Sequence, residues 1–223
     1  MAGGASMTPA DVHARFAALP GSEQIASEFA LSGARWWLRR RRPTCIWEVG
    51  GGIGCLSQVL VNYLESWQNG PFPRQTAYPR LFVEEPDEWC YHAWHENVRM
   101  EAWPLAIRWS TEFYEPDEAI DFLVIDGGDT RGDYYANLAR RAVILWEGGR
   151  REQRRVFRAM WKGVRPFVMA TCRPADRSKG YTVAIMEPTF GERAWFIGVR
   201  MREWILDALA RASGRAIGKR RTM

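Results

Sequence analysis

The stretch Ile46-Trp47-Glu48-Val49-Gly50-Gly51-Gly52-Ile53-Gly54 decides how this chain is read. Ile46 and Trp47 close a short apolar run that begins at Cys45, the pattern of a buried strand, and four glycines follow within five positions. Beyond them Leu56, Val59, Leu60, Tyr63 and Leu64 recur at the spacing of one helix face, so the segment reads as strand, glycine turn, helix. Such a turn adopts positive φ without strain and lets the backbone come close to a bound molecule. The plain alternative is a turn that serves only close packing of strand on helix.

The glycine spacing narrows the ligand. Dinucleotide sites read G-x-G-x-x-G. Counted from Gly50 or from Gly52, the third glycine is replaced by Cys55 or Ser57. The pattern present is Glu48-x-Gly50-x-Gly52-x-Gly54, which resembles the first motif of class I S-adenosylmethionine-dependent methyltransferases, most closely those that O-methylate small molecules. The resemblance implies that Glu48, Gly50, Gly51, Gly52 and Gly54 surround the methionine end of S-adenosyl-L-methionine. An NAD-dependent oxidoreductase is disfavoured by the same spacing and by the lack of a recognisable catalytic pair.

The rest of the chain is organised to match. Apolar runs at Leu81–Glu84, Leu105–Trp109, Asp121–Ile125, Ala142–Trp146, Phe167–Thr171 and Tyr181–Met186 read as further strands. Helices are expected over 11–19, 22–40, from the glycine turn to about 67, over 86–98, 134–141, 151–162 and 193–212, with Pro43 ending the second of them. Asn69-Gly70-Pro71-Phe72-Pro73 is a break, and the polar segment Arg173–Gly180 suits a hairpin connection. Strands alternating with helices imply β-α-β units and a parallel sheet. The expected fold is α/β, Rossmann-like and doubly wound: a mostly parallel seven-stranded sheet with an antiparallel last strand and helices on both faces. It divides into an N-terminal helical segment packing on the core (1–44), the cofactor-binding domain (45–190) and a C-terminal helix with a basic tail (191–223). Together these make a single domain, as 223 residues allow.

In an open sheet of this kind the ligand lies beyond the carboxyl ends of the strands, near the reversal of strand order. Polar residues ending the first, second and fourth strands are therefore expected to converge. The second strand runs into Glu85-Pro86-Asp87, similar to the family's second motif. The resemblance implies that Glu85 and Pro86 bind the cofactor, with Glu85 on the ribose, since a carboxylate has two acceptor oxygens for a vicinal diol. The fourth strand runs into Asp126-Gly127-Gly128-Asp129, similar to small-molecule methyltransferases in which the aspartate lies beside donor and acceptor. Asp126 is thus a cofactor-binding and catalytic candidate and Asp129 a second catalytic one, to orient the cofactor amine, steer the acceptor or take a proton. Helix capping is the plain reading of Asp126. In the metal-dependent relatives an Asp-Asn pair ends the fifth strand. Here Trp146-Glu147-Gly148 stands instead, so no metal is expected, although Asp126 with Glu147 would offer oxygen ligands to a divalent cation.

Composition limits the classes that remain. A hydrophobic content of 47% with 26% charged residues is that of an ordinary globular chain. No run of about 18 apolar residues suggests a membrane span. Cys45, Cys55, Cys90 and Cys172 form no C-x-x-C pair, so four reduced thiols in a cytoplasmic protein are the simplest reading. The net charge of +5 is clustered at Arg39–Arg42, Arg150–Arg155 and Lys219–Arg221. These patches carry the alternative reading, a non-catalytic adenosylmethionine- or nucleotide-binding module contacting nucleic acid. The main expectation is methyl transfer from S-adenosyl-L-methionine to an oxygen or nitrogen of a small-molecule acceptor.

Overall fold

The computed structural model describes residues 7–69, 79–100, 107–110, 118–127, 132–148, 150–174 and 179–212. The first strand, β1 (Cys45–Val49), lies inside a seven-stranded sheet, third from one edge. Around it lie β2 (Arg80–Glu84), β3 (Ile107–Ser110), β4 (Ile120–Ile125), β5 (Leu138–Glu147), β6 (Phe167–Cys172) and β7 (Tyr181–Met186), in the order β3-β2-β1-β4-β5-β7-β6. All pairings from β3 to β5 are parallel, and β7 runs antiparallel to both β5 and β6. This is the mostly parallel, Rossmann-like sheet expected from the sequence. Strand order reverses between β1 and β4, where a crevice opens at the carboxyl ends.

Every residue of β1 is buried, as a parallel strand covered on both faces requires. Ile46 joins one core with Phe122, Val124, Val143 and Leu145. Cys45, Trp47 and Val49 face the opposite core with Leu123, Ile125, Ile144 and Trp146. The first core is covered by α1 (Pro9–Ala17), α2 (Glu28–Arg41), α3 (Cys55–Asn69) and α4 (Glu88–Asn97), together with Phe196 of α6 (Phe190–Ala212). The second is covered by α5 (Arg151–Trp161), through Phe157 and Trp161, and by Tyr134 and Tyr135.

Local sequence explains the starts of three helices. Thr8 and Asp11 form a reciprocal capping box at the start of α1, and the Ser27 hydroxyl accepts from Ala30 N at the start of α2. The second expected helix is broken: Ser22–Gln24 form a short 3-10 helix and the α-helix begins only at Glu28, after Ser27. Asp87 caps α4 by accepting from Cys90 N at 2.8 Å.

The expected helix over 134–141 is not there. Asp133–Asn137 form a 3-10 turn, and β5 already begins at Leu138, four residues earlier than the apolar pattern suggests. Tertiary contacts override helix propensity at this point. Tyr134 and Tyr135 are buried under α5, and the Arg165 guanidinium donates to the carbonyl oxygens of Leu138, Ala139 and Arg140 at 3.0 Å each. Those acceptors are thereby satisfied outside a helix. For the third strand, Ile107–Ser110 are seen, and Leu105 and Ala106 lie outside the described residues.

The carboxyl ends of β1, β2 and β4 are stitched together by backbone. Gly50 N and Gly51 N donate to the Glu84 carbonyl at 2.8 and 3.3 Å, while Asp126 N and Gly127 N donate to that of Val49 at 2.9 and 2.8 Å. Gly50 has φ +83, and a Cβ placed on it would lie 2.2 Å from both N and Cα of Gly127. Gly52 is also left-handed, at φ +51, but a Cβ there would meet nothing within 4 Å. The two positions therefore separate steric from conformational cost. Gly52→Ala is expected to destabilise by about 1 kcal/mol, the cost of a left-handed non-glycine residue. Gly50→Ala is expected to cost at least ~3 kcal/mol, because backbone must also move. Urea denaturation of both variants checks this, and equal losses would contradict the backbone contact.

Candidate functional site

Above this stitched junction lies a cleft of about 930 Å³, within the range of small-molecule sites. Its floor and walls include Val49, Gly50, Gly51 and Gly52 from the end of β1, Glu84, Glu85 and Pro86 from the end of β2, and Asp126 and Gly127 from the end of β4. Of the residues singled out from sequence, Gly50, Gly51, Gly52, Glu85, Pro86 and Asp126 are thus brought together. Gly54 does not line the cleft; its φ of +95 and the closeness of Val98, 2.3 Å from a notional Cβ, give it a packing role under α4. Asp129 lies outside the described residues.

Glu48 is placed differently from expectation. It is fully buried and does not line the cleft. Its Oε2 accepts from Ser57 Oγ at 2.6 Å, and Ser57 Oγ in turn accepts from the Trp94 indole N–H at 2.6 Å. Burial, opposed by the Ser57 hydrogen bond and reinforced by the charges of Asp126 and Glu85, holds the Glu48 carboxyl well above the usual carboxylate range. Its Oε1 is buried with no hydrogen-bond partner among the described residues.

Glu85 is pinned at the junction of two motifs. Its Oε2 accepts from Gly52 N at 2.7 Å and its Oε1 from Asp87 N at 3.0 Å. The carboxylate that ends β2 thus lies directly against the glycine turn that ends β1, with both oxygens on backbone N–H groups.

Asp126 sits in a charged cluster that sequence order did not reveal. Its side chain is 13% exposed and 3.4 Å from Arg150 Nη2, which also donates to the Asp126 carbonyl. Burial, then the neighbouring Glu147 carboxylate, push the Asp126 carboxyl up to about 7, against the opposing pull of Arg150 and Lys179. Glu147, 1% exposed at the end of β5, accepts from Lys179 Nζ at 3.2 Å and from Ser27 N at 3.5 Å. Lys179 also donates to the Ile25 carbonyl at 3.1 Å, and Ser27 Oγ donates to the Lys179 carbonyl at 3.1 Å. These bonds hold the segment before α2 against the sheet, so that Gly21, Glu23, Gln24 and Ile25 form a wall of the cleft beside Trp89 of α4.

Arg150, Lys179, Trp89 and residues 21–25 were not identified from sequence. Arg150 was visible only as part of a charge run, and no local signal marks the N-terminal segment as cleft wall, since Glu147 and Lys179, which hold it, lie more than a hundred residues away. Among the described residues no group of three or more His, Cys, Asp or Glu side chains is placed to hold a metal ion. The pair Asp126 and Glu147 is instead met by Arg150 and Lys179. Among those same residues no helix is long and apolar enough to cross a membrane.

The other basic clusters are partly tied into the fold. Arg41 pairs with Glu192 at 2.9 Å, Arg40 lies over the Trp36 ring, and Arg154 donates to Thr182 Oγ1 at 2.7 Å. Lys219–Arg221 lie outside the described residues.

No family model matches the sequence, and no curated protein matches it either. Solved structures do match. The O-methyltransferase from Bacillus cereus in complex with SAH superposes with a TM-score of 0.54 at 13% identity, over 81% of this chain and 90% of that one. TomG from Streptomyces achromogenes, an O-methyltransferase of tomaymycin synthesis in complex with SAM, gives 0.53 at 15% identity, over 81% and 88%. The SAH-bound methyltransferase PaMTH1 from Podospora anserina gives 0.56 at 11% identity, over 81% and 88%. The chain therefore has the fold of class I methyltransferases.

The Asp126 environment has a consequence for stability. A carboxyl whose folded value lies above its unfolded one binds more protons when folded. Its favourable contribution is complete below the unfolded value near 3.8 and is lost as pH rises through about 7. Asp126→Asn removes the penalty of a buried charge and is expected to raise the melting temperature at pH 8 by at least ~2 °C. The gain should shrink steadily between pH 7 and pH 4. A pH series of thermal melts checks it; a gain that grows toward acid would contradict the assigned environment.

Proposed function

We propose that this chain is an S-adenosyl-L-methionine-dependent methyltransferase acting on an oxygen or nitrogen of a small-molecule acceptor. The observation that carries the proposal is the apposition of Glu85 and the Gly50–Gly52 turn on one cleft. A two-oxygen acceptor at the end of β2 and a side-chain-free backbone at the end of β1 suit a ribose diol and the amino-acid tail of one adenosyl compound. Fold likeness to methyltransferases in complex with SAM or SAH supports the same reading. So does charge: Glu84, Glu85, Asp87 and Asp126 line the cleft, an acidic setting for a ligand bearing an ammonium and a sulfonium.

When bound, the cofactor supplies a methyl group on a sulfonium sulfur, activated for in-line displacement. The chain's task is then mainly alignment, which needs no covalent nucleophile. Gly50–Gly52 offer backbone to the tail, Glu85 exchanges its N–H partners for ribose hydroxyls, and Asp126 faces the reacting end. A carboxyl held near neutrality by burial suits proton transfer from an acceptor hydroxyl or amine. Arg150, hydrogen-bonded to Asp126, fixes the orientation of that carboxyl. Asp129 is a second candidate for the same proton.

The alternative, a binding module without catalysis, draws on Arg151, Arg155 and Arg158, basic residues exposed or half-exposed on α5. It requires cofactor binding without transfer to any acceptor, and salt-sensitive association with nucleic acid. Isothermal titration with S-adenosylhomocysteine is expected to show one site per chain, weakened at least ~10-fold in Glu85→Ala, the loss of a charge-assisted pair of hydrogen bonds. A labelled-methyl screen over phenols, sugars, amines, nucleic acid and peptides then separates the two readings. Failure of the wild-type chain to bind S-adenosylhomocysteine would overturn both.

A further inference from the structure

Among the described residues, most of the exposed large apolar side chains lie on one helix that does not line the cleft. Helix α6 packs on the edge strand β6 and presents six large apolar side chains to solvent. Phe190 is 88% exposed, Ile197 and Met201 59%, Trp204 68%, Ile205 45% and Leu209 61%. Phe190, Ala194, Ile197, Met201, Trp204 and Ala208 recur alternately four and three residues apart, with Ile205 and Leu209 beside them, which is the seam of a helix made to pack against another helix. At roughly 200 Å² per large apolar side chain, those exposures amount to on the order of 750 Å². Monomeric proteins rarely leave a patch of that size open.

The stripe is also uneven in bulk. In its first half Gly191, Ala194 and Gly198 stand beside Phe190 and Ile197, whereas its second half carries Met201, Trp204, Ile205 and Leu209 with only Ala208 small among them. A Cβ placed on Gly191 or Gly198 would meet nothing within 4 Å, so nothing within the described protein requires glycine there. Glycine is nevertheless the least favourable residue in a helix interior after proline. A helix with gaps at the glycines of one half and large side chains in the other is complementary to its own antiparallel copy. With the two-fold axis at Met201, Trp204 of each copy falls over Gly198 of the other, Ile205 beside Ile197 and Ala208 beside Ala194.

We infer that α6 is the interface of a homodimer, in which two copies of the helix pack antiparallel about Met201. A closed two-fold contact uses the same patch twice, and the exposed area matches the ~800 Å² per partner of a stable interface. Three basic side chains of the helix turn back to the body: Arg193, Arg200 and Arg202 donate to the carbonyls of Pro188 at 3.5 Å, Met169 at 2.8 Å and Arg173 at 3.1 Å. The tail 213–223 offers only Ile217 and Met223 as large apolar residues, too few to cover six.

Light scattering of the full chain after size exclusion tests the inference at micromolar concentration. Wild type is expected as a dimer and Trp204→Glu as a monomer. Gly198→Leu is the sharper probe. It improves helix propensity at an open position, so the fold should melt no lower, yet it fills the slot and should weaken the dimer at least ~10-fold, as loss of a central anchor does. A monomeric wild type would overturn the inference. So would a dimer indifferent to both substitutions, or binding of the wild-type chain to anionic vesicles with no self-association.

Discussion

The close backbone approach between Gly50 and Gly127 is the constraint on which the rest of the structure depends. The parallel strands β1 and β4 are neighbours, and their carboxyl ends can lie this close only where neither carries a side chain. The hydrogen bonds from Gly50 and Gly51 to Glu84, and from Asp126 and Gly127 to Val49, lock that junction. They also orient the residue just past each strand end: Glu85 turns onto the glycine turn and Asp126 turns toward Arg150. The cleft is the space left above a floor that is backbone rather than side chain. A site so built has rigid geometry and little bulk, the combination that preorganised binding requires.

Charge is handled by depth. Glu48, Glu85, Asp126 and Glu147 all lie at the carboxyl edge of the sheet, and their mutual repulsion is met in different ways. Glu48 is buried on a serine–tryptophan relay, Glu85 rests on two backbone N–H groups, and Asp126 and Glu147 share the cations Arg150 and Lys179. The last arrangement ties the cleft to the N-terminal segment, because Lys179 and Glu147 also bind the backbone of Ile25 and Ser27. The wall formed by residues 21–25 therefore depends on the same carboxylates as the site. The α6 stripe stands apart from this network, on the edge strand at the far side of the sheet.

How much of the molecule was legible in the sequence depends on the range of the interactions involved. The glycine turn, the buried strands and the acidic residues at strand ends are local patterns, and the sheet places Glu85, Asp126 and Gly50–Gly52 on one cleft as those patterns imply. The start of β5 was not legible. Asn137-Leu138-Ala139-Arg140-Arg141 has the composition of a helix, and only Arg165, bound to three of its carbonyls, and the buried tyrosines keep it extended. Glu48 ends a strand as expected, but the alternation of side chains turns it into the core beneath α3 and α4 rather than toward the opening. Arg150 and Lys179 carried no motif, and their role comes from being folded next to carboxylates distant in sequence.

The most direct measurement is a crystal structure of the chain grown with S-adenosylhomocysteine. The account predicts the ligand in the crevice between the ends of β1, β2 and β4, its ribose hydroxyls on both Glu85 oxygens and its tail along Gly50–Gly52. A structure in which Glu85 keeps its bonds to Gly52 and Asp87, with the ligand elsewhere or absent, would contradict it.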